Sequence, residues 1–551
     1  MSKNVFTFIV GGKAGEGVKK AGTSAMNLFR KNDLQVFLMD DYMSLIRGGH
    51  NFSVVSASDE RITSHYIKAD LVVSLDRRSY DLHREHLLDD GIHVYNSDEI
   101  EDAEGIGLPL YTEARKFPNP SLRLGVGALA VLAAVTGMKK EELKNLIEEE
   151  YPRDLENNVA YANVIHDLTL EKVDTRELPM GKKTGSVLSG NEAIALGAAA
   201  AGLDAYFAYP MTPASSILHY YAKHDRELGI ATVHPESEVG VANMAVGSAF
   251  AGARTMVGTS GGGFALMEEA LSLAGMCEVP LLCVMSSRPG PSTGVPTYTE
   301  QADLEFALHQ GHGEFPRIVA SPGSIEEAFY LSGELLDLAW KYQAVATLLT
   351  EKHLSESRIT LKIDPSRVKE AGGSEYKGKE EYFRYKITDD GISPMLFPPS
   401  EELIKVNSYE HDEKGITTED PEWIVKMHDK RNRKGETLLK ALKEMKTVNV
   451  FGDGGPVILT YGSTTLSVLE ALDWGGLKAK VVQPIYLRPF PVWELEKYRD
   501  RDVVVVEQSS TEQFSNLLKE KAGMKVRKVI KRYDGRPFDP RELAEELKEV
   551  A

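Results

Sequence analysis

The stretch Val5-Phe6-Thr7-Phe8-Ile9-Val10-Gly11-Gly12-Lys13-Ala14-Gly15-Glu16-Gly17 opens the chain on an apolar strand that breaks into glycines. Helical spacing follows at once, with Ala21, Ala25, Leu28 and Phe29 recurring on one face. Strand, glycine turn and helix form the first unit of an α/β layer, with helices covering a parallel sheet. Val36 to Met39 and Leu71 to Leu75 read as further buried strands of that sheet. This first block covers residues 1–172.

The same rhythm returns twice. Residues 173–186 mix charge with Pro179, Gly181 and Gly185 and read as a linker. Residues 187–363 form a second α/β block around the apolar strand Leu281 to Met285. Over 364–447 charged residues dominate, with Pro394, Pro398 and Pro399 close together. That region reads as an excursion with a helix near Glu422 to Lys446, not as a core. Residues 448–551 resume, with strands at Val457 to Tyr461, Lys480 to Gln483 and Val503 to Val506. Helices are expected at Thr465 to Leu472, Gln513 to Ala522 and Arg541 to Val550. No repeat of fixed period interrupts this order.

Composition narrows the function. At about 150 residues per domain, a chain of 551 residues holds three or four domains. A formal charge of −18 argues against nucleic acid as a partner, because phosphate neutralisation needs a basic face. Two cysteines, Cys277 and Cys283, are too few for a disulfide framework or a cysteine-ligated cluster. Met1 to Val10 lacks the pattern of a secretory leader. The apolar stretches Gly125 to Gly137 and Ile194 to Gly202 fall short of the roughly 20 residues that a membrane span needs. A soluble protein in the reducing cytoplasm is expected, with no membrane contact.

Several motifs offer chemistry, and each has a plainer structural reading. Gly12-x-x-Gly15-x-Gly17 either cradles a phosphate with backbone amides or makes a tight strand-to-helix turn. It matches neither the dinucleotide fingerprint nor a Walker loop. Arg47-Gly48-Gly49-His50-Asn51 is a loop meeting a ligand, or only a turn. In Tyr209-Pro210-Met211-Thr212-Pro213-Ala214-Ser215-Ser216, Pro213 suits the first helical position and Thr212 the N-cap. The alternative is a catalytic threonine. In His234-Pro235-Glu236-Ser237-Glu238-Val239-Gly240 the carboxylates suit a first helical turn, or one turns inward as an acid/base. The following helix carries a closely packing face of Val241, Met244, Ala245, Ser248, Ala249 and Gly252. Thr259-Ser260-Gly261-Gly262-Gly263-Phe264 enters another helix, with Leu266, Ala270 and Leu273 expected inward. Arg288, after the strand Leu281 to Met285, can fork onto a carboxylate or sit in a surface ion pair.

In this order the segments resemble the α subunits of 2-oxoacid:ferredoxin oxidoreductases, in the form with a small γ domain fused in front, as in 2-oxoglutarate synthase α chains. Gly12 to Gly17 and Arg47 to Asn51 resemble the γ domain. Gly190-Asn191-Glu192-Ala193, Tyr209 to Ser216, Glu236 to Gly240, Arg288 to Gly294 and Thr299-Glu300-Gln301-Ala302-Asp303 resemble the pyrimidine-binding thiamine domain. Gly455 to Ser463 and Val503 to Gln508 resemble the transketolase C-terminal-like domain. The resemblance implies a multidomain α/β fold: a Rossmann-like γ domain, a thiamine diphosphate-binding (pyrimidine) domain and a transketolase C-terminal-like domain. It implies thiamine diphosphate shared with a β subunit that holds Mg²⁺ and a 4Fe-4S cluster. It further implies coenzyme A as co-substrate, ferredoxin as acceptor and an (αβ)₂ assembly. Glu238, with Glu236 as the nearby alternative, aligns with the glutamate of the pyrimidine ring. Arg288 would bind the substrate carboxylate and Thr212 the substrate, with Tyr209 and Pro210 lining the cofactor and Gly12, Gly15 and Gly17 a coenzyme phosphate. No residue is assigned to a metal.

One position departs from the pattern. Tyr298, in Pro296-Thr297-Tyr298-Thr299-Glu300-Gln301, stands where several relatives have a basic residue. A tyrosine offers a distal carboxylate no charge, so neutral or aromatic 2-oxoacids are expected to rival 2-oxoglutarate. Two other readings compete. A cluster-free enzyme of the transketolase kind needs a diphosphate and magnesium motif, which the chain does not show. A non-catalytic assembly module would have lost Glu238, Thr212 and Arg288, and all three are present.

Overall fold

The computed structural model describes residues 3–43, 48–178, 181–182, 185–378 and 380–550. Arg47 and Pro179 lie outside them. Three sheets organise the chain, each flanked by helices.

The first sheet runs Ile106–Leu108, Leu87–Asn96, Ala69–Ser74, Val5–Ala14, Gly48–Ser58, Gln35–Asp41, Arg358–Leu361, Ser186–Ser189. It is mixed, not parallel as expected. Gly48–Ser58 pairs antiparallel with both Val5–Ala14 and Gln35–Asp41. Gly48 to Asn51, expected as a turn, therefore begins a strand, and Asn51 sits opposite Gly12. The opening strand likewise runs on through Gly11 and Gly12 to Ala14, so only Gly15 to Gly17 turns. Glycine is no obstacle in a strand whose partner supplies the ladder hydrogen bonds. The sheet also crosses the expected boundaries: Ser186–Ser189 and Arg358–Leu361, which flank the second block, close its far edge. Pairing buries an edge that would otherwise stay open.

The second sheet runs Tyr486–Arg488, Arg317–Ala320, Val345–Glu351, Leu281–Ser287, Thr255–Thr259, Ala205–Phe207, Ala231–Val233. Its last six strands are parallel. Central strands of such sheets are covered on both faces, and Leu281–Ser287 is buried throughout, as its unbroken apolar run requires. Tyr486–Arg488 enters antiparallel from the C-terminal block. The third sheet orders Val448–Phe451, Lys480–Pro484, Val457–Leu459, Asp502–Glu507 and Lys525–Lys531.

The region 364–447 does contribute core, contrary to expectation. Met395, Leu438 and Leu442 join the apolar cluster of the second block. Its helix Pro421–Lys443 buries Lys430 and Lys434, both ion-paired to Glu278 at 2.7 Å. Lysines four apart read as a solvated face; here one buried carboxylate turns that face inward. Among the described residues no helix is long and apolar enough to cross a membrane.

The seam between the second and third sheets is polar. Gln301 donates to the Tyr461 carbonyl at 2.9 Å and accepts from Thr464 and the Gln508 amide, both at 2.9 Å. Beside it Glu351, fully buried, accepts the Ser463 amide. Burial pushes its carboxyl up to about 7, against the hydrogen bond from Ser463. An acid raised in the fold binds its proton more tightly there than in the unfolded chain. Stability from this group is therefore full below 4.5 and is lost as pH climbs towards about 7. Glu351→Gln keeps an acceptor for Ser463 without the titration. It is expected to flatten that decline and to exceed the wild type by up to about 3 kcal/mol at pH 8. Thermal unfolding of both proteins from about pH 5 to 8 checks this, and parallel curves would refute it.

Candidate active site

Four of the candidate segments of the second block follow the C-terminal ends of parallel strands, where open α/β sheets form their ligand crevice. Tyr209 to Ala214 follow Ala205–Phe207, and Glu236 to Glu238 follow Ala231–Val233. Ser260 to Gly263 follow Thr255–Thr259, and Arg288 follows Leu281–Ser287.

Glu238 is the first residue of the helix Glu238–Phe250, capped by Ser237, whose hydroxyl accepts the Gly240 amide at 3.4 Å. It is only 3% exposed, and its Oε1 is buried without a hydrogen-bond partner. Glu236, two residues earlier, is exposed and lies over the first helical turn. The inward carboxylate is thus Glu238. It points at the glycine entry of the helix Gly261–Cys277. A Cβ built on Gly263 would stand 2.5 Å from Glu238 Oε1 and 2.1 Å from Thr259 Oγ1. Only glycine admits both groups. Gly261 is similarly close to the Asp303 carboxylate, at 2.8 Å from a built Cβ.

Thr212 is not an N-cap. The Thr212–Pro213 peptide is cis, and the helix starts later, at Ser215. Residues 212–214 form a turn tied to the neighbouring helix by Asn191, which donates to the Pro213 carbonyl at 2.8 Å and to Ser216 at 2.7 Å. Arg288 closes the turn from the other side, donating from Nη1 to the Thr212 carbonyl at 2.8 Å. Burial lowers the Arg288 guanidinium's pKa, opposed by the nearby Asp303. Asp303 is in turn raised by burial, with Arg288 pulling it back. Met211 places its sulfur 3.9 Å from Thr259 Oγ1, linking this turn to Gly263 and so to Glu238. Tyr209 stands at the exposed rim, edge-on to His234.

Thr212, Arg288 and Glu238 therefore surround one glycine helix entry. Asn191, Thr259, Gly263 and Asp303 complete the arrangement. Asn191 and Asp303 lie in quoted motifs, and Gly261 to Gly263 was a visible signal; Thr259 as the partner of Gly263 had none.

The first block's candidates stand elsewhere. The Lys13 amide donates to Glu16 Oε2 at 2.6 Å, so a side chain of this turn already occupies one of its backbone donors. Gly17, at φ 80°, lies against Gly125 of the helix Pro120–Val135, where a Cβ would come within 2.7 Å of the Gly17 carbonyl. Both contacts serve a tight turn. Gly15, at φ 100°, faces open space.

Outside Glu238 the two helices expose apolar side chains. Val239, Met244 and Leu266 are 50%, 46% and 53% exposed, although Met244 and Leu266 were expected inward. Val239, Leu266, Leu273 and Met276 line a groove of about 720 Å³, with His428 and Arg431 also on its wall.

Residues 196–430 match the family model described as pyruvate flavodoxin/ferredoxin oxidoreductase, thiamine diphosphate-binding. Residues 7–166 match that of pyruvate ferredoxin/flavodoxin oxidoreductase. A 2-oxoacid:ferredoxin oxidoreductase α subunit of Sulfolobus is 30% identical over 99% of this chain and 96% of its own length. A ketoisovalerate oxidoreductase subunit, VorB of Methanothermobacter thermautotrophicus, is 28% identical over 66% of this chain and 97% of its own. The solved 2-oxoglutarate:ferredoxin oxidoreductase from Magnetococcus marinus, with 2-oxoglutarate, coenzyme A and succinyl-CoA bound, superposes with a TM-score of 0.90. It is 29% identical, with 100% of both chains covered. The chain belongs to the α subunits of the 2-oxoacid:ferredoxin oxidoreductases, enzymes of several subunits whose family carries a thiamine diphosphate-binding domain.

Proposed function

We propose that this chain supplies the pyrimidine-holding half of an active site that oxidatively decarboxylates a 2-oxoacid to its coenzyme A thioester. A β subunit would complete the site with the diphosphate pocket, Mg²⁺ and the 4Fe-4S cluster that passes electrons to ferredoxin. The observation that carries this is the orphaned Oε1 of Glu238, buried over a glycine. A buried carboxyl without a partner costs stability unless a ligand satisfies it, and an aminopyrimidine ring nitrogen is such a ligand. The residues present fit the cofactor, which when bound supplies the nucleophilic carbon and the electron sink.

This chain's own groups would then divide the remaining work. Glu238 shares a proton with the ring nitrogen at Oε1 and, being buried, keeps that proton from water. Arg288 carries five N–H donors; one holds the Thr212 carbonyl, and the rest suffice to fork a substrate carboxylate. Thr212, on a backbone turn held by Asn191 and Arg288 on either side, orients the substrate through its hydroxyl. Tyr209 and Pro210 form the rim. Coenzyme A meets the first domain at the open Gly15. The exposed face of Val239, Met244 and Leu266 beside Glu238 is where the β subunit covers the site, giving an (αβ)₂ enzyme in the cytoplasm. The proposed division of labour keeps units near 1–172, 187–363 and 448–551, with Ser186–Ser189 and Arg358–Leu361 given over to the first sheet and 364–447 packed onto the second unit.

For the substrate, similarity does not choose, since relatives near 28–29% identity act on different 2-oxoacids. Tyr298 is covered by Arg536, whose charge is already paired with Asp41 at 3.4 Å. We therefore expect neutral and aromatic 2-oxoacids to match or exceed 2-oxoglutarate. The purified chain is expected to bring down a smaller, cysteine-bearing, brown partner. A panel of 2-oxoacids with coenzyme A and ferredoxin then measures kcat/KM. A colourless chain that decarboxylates alone would overturn the function, and a dominant value for 2-oxoglutarate would overturn the specificity.

A further inference from the structure

The segment from Pro289 to Thr297 leaves Arg288 and arches over the glycine helix entry, with the Ser292 carbonyl 3.9 Å from a Cβ built on Gly262. It has little holding it. Gly290 to Val295 are exposed, and Ser292 and Gly294 take positive φ of 57° and 54°. Two backbone hydrogen bonds knit it: Val295 N to Pro289 O at 3.0 Å and Tyr298 N to Val295 O at 3.2 Å. These two bonds link Tyr298 through Val295 to Pro289, the residue after Arg288.

Tyr298 is where distant parts of the chain meet. The Arg536 guanidinium lies 3.9 Å from the centre of its ring, a cation–π contact. The Gly535 carbonyl accepts the Thr299 amide at 3.1 Å, and a Cβ on Gly535 would press on Tyr298 Cβ at 3.2 Å. Asp41, at the end of Gln35–Asp41, lies 3.4 Å from Arg536 Nη1 and lines the same small crevice as Tyr298. The Arg536 backbone is fixed, its amide donating to Asp534 at 2.9 Å and its carbonyl accepting from Gln508 at 2.9 Å. A strand end of the first sheet, the loop after Leu281–Ser287 and the loop after Lys525–Lys531 thus each supply one member of the contact.

We propose that Arg536 is a positioning residue for the substrate: from the C-terminal domain, and steadied by Asp41 of the first domain, it latches the far end of the loop whose root is Arg288. This rests on the assignment of Arg288 to the substrate carboxylate. The latch acts through Tyr298 and touches no reacting atom.

The test uses the purified α–β enzyme. Arg536→Gln is expected to raise the KM for the 2-oxoacid about tenfold with kcat within about twofold, because small misplacements of a binding group are costly. The hydrogen-bonded amides of Val295 and Tyr298 should exchange faster with deuterium while Leu281–Ser287 stays protected. Arg536→Lys, which keeps a cation over the ring, should recover most of the affinity. If Arg536→Gln does not assemble, Asp41→Asn should move KM and exchange the same way by a few-fold. Unchanged KM, a fall in kcat alone, or no rescue by lysine would overturn the latch. Arg288→Lys separates the two readings. If it leaves KM unchanged, the Arg288 assignment fails and the latch with it. If it raises KM while Arg536→Gln does not, the latch alone is refuted.

Discussion

Glu238→Gln is expected to cut the turnover of the assembled enzyme by about 10²–10⁴-fold, the usual size of general acid/base help. Glutamine has nearly the same shape, and the Ser237 cap and the close fit over Gly263 should both survive it. What it loses is the ability to hold and release a proton at Oε1, the atom left without a partner inside the chain. Side-chain volume and helix capping are unchanged, so the thermal midpoint should stay close to the wild type. A drop in both turnover and stability would mean that Glu238 is a structural carboxylate of a first helical turn. Full turnover in the variant would remove it from the chemistry altogether. Glu236→Gln is the natural control: the side chain is exposed, and turnover should not change.

Glu278→Gln should cost the chain about 3–5 kcal/mol, the range for removing one member of a buried ion pair. Glu278 closes the helix Gly261–Cys277 in a left-handed conformation, φ 50°, with its carboxylate fully buried. Lys430 and Lys434 each donate to it at 2.7 Å, and Arg384 donates to the Glu278 backbone carbonyl at 2.7 Å. Burial alone would raise the carboxyl; the two lysines hold it well below the usual carboxylate range. The stability it provides is therefore present above its unfolded value of 4.5 and is lost as the pH falls below it. Burial also pushes Lys434 down to about 8, against the pull of Glu278. Removing the carboxylate leaves two buried ammonium groups facing each other. Denaturant titration should show the loss, and limited proteolysis should cut first within 364–447. Converting Lys430 and Lys434 to Met in the same variant should recover most of the stability, since apolar replacements of buried ions are often neutral. A loss below about 1 kcal/mol would show that the triad is not what pins this segment.

The alternating apolar runs and glycine turns determined that the chain is α/β and placed most strands and helices, because local periodicity follows from burial on one face or both. Residue order around Tyr209, Glu238 and Arg288 likewise pointed to the family, since loops at the strand ends carry the chemistry as short contiguous motifs. Tertiary structure alone decided what depends on partners far apart in sequence. The first sheet is mixed because Gly48–Ser58 inserts beside Val5–Ala14, and strand direction leaves no mark on periodicity. Glu238 rather than Glu236 turns inward because Gly263, 25 residues on, leaves room for it. Thr212 serves a turn held by Arg288 and not a helix cap. The two lysines of 364–447 are interior because Glu278 meets them, a pairing that composition reads as solvated charge. Tyr298, which by sequence only lacked a charge, meets Arg536 from the far end of the chain. Each of these rests on a contact between segments that only folding brings within a few ångströms, where Coulomb energy and close packing act.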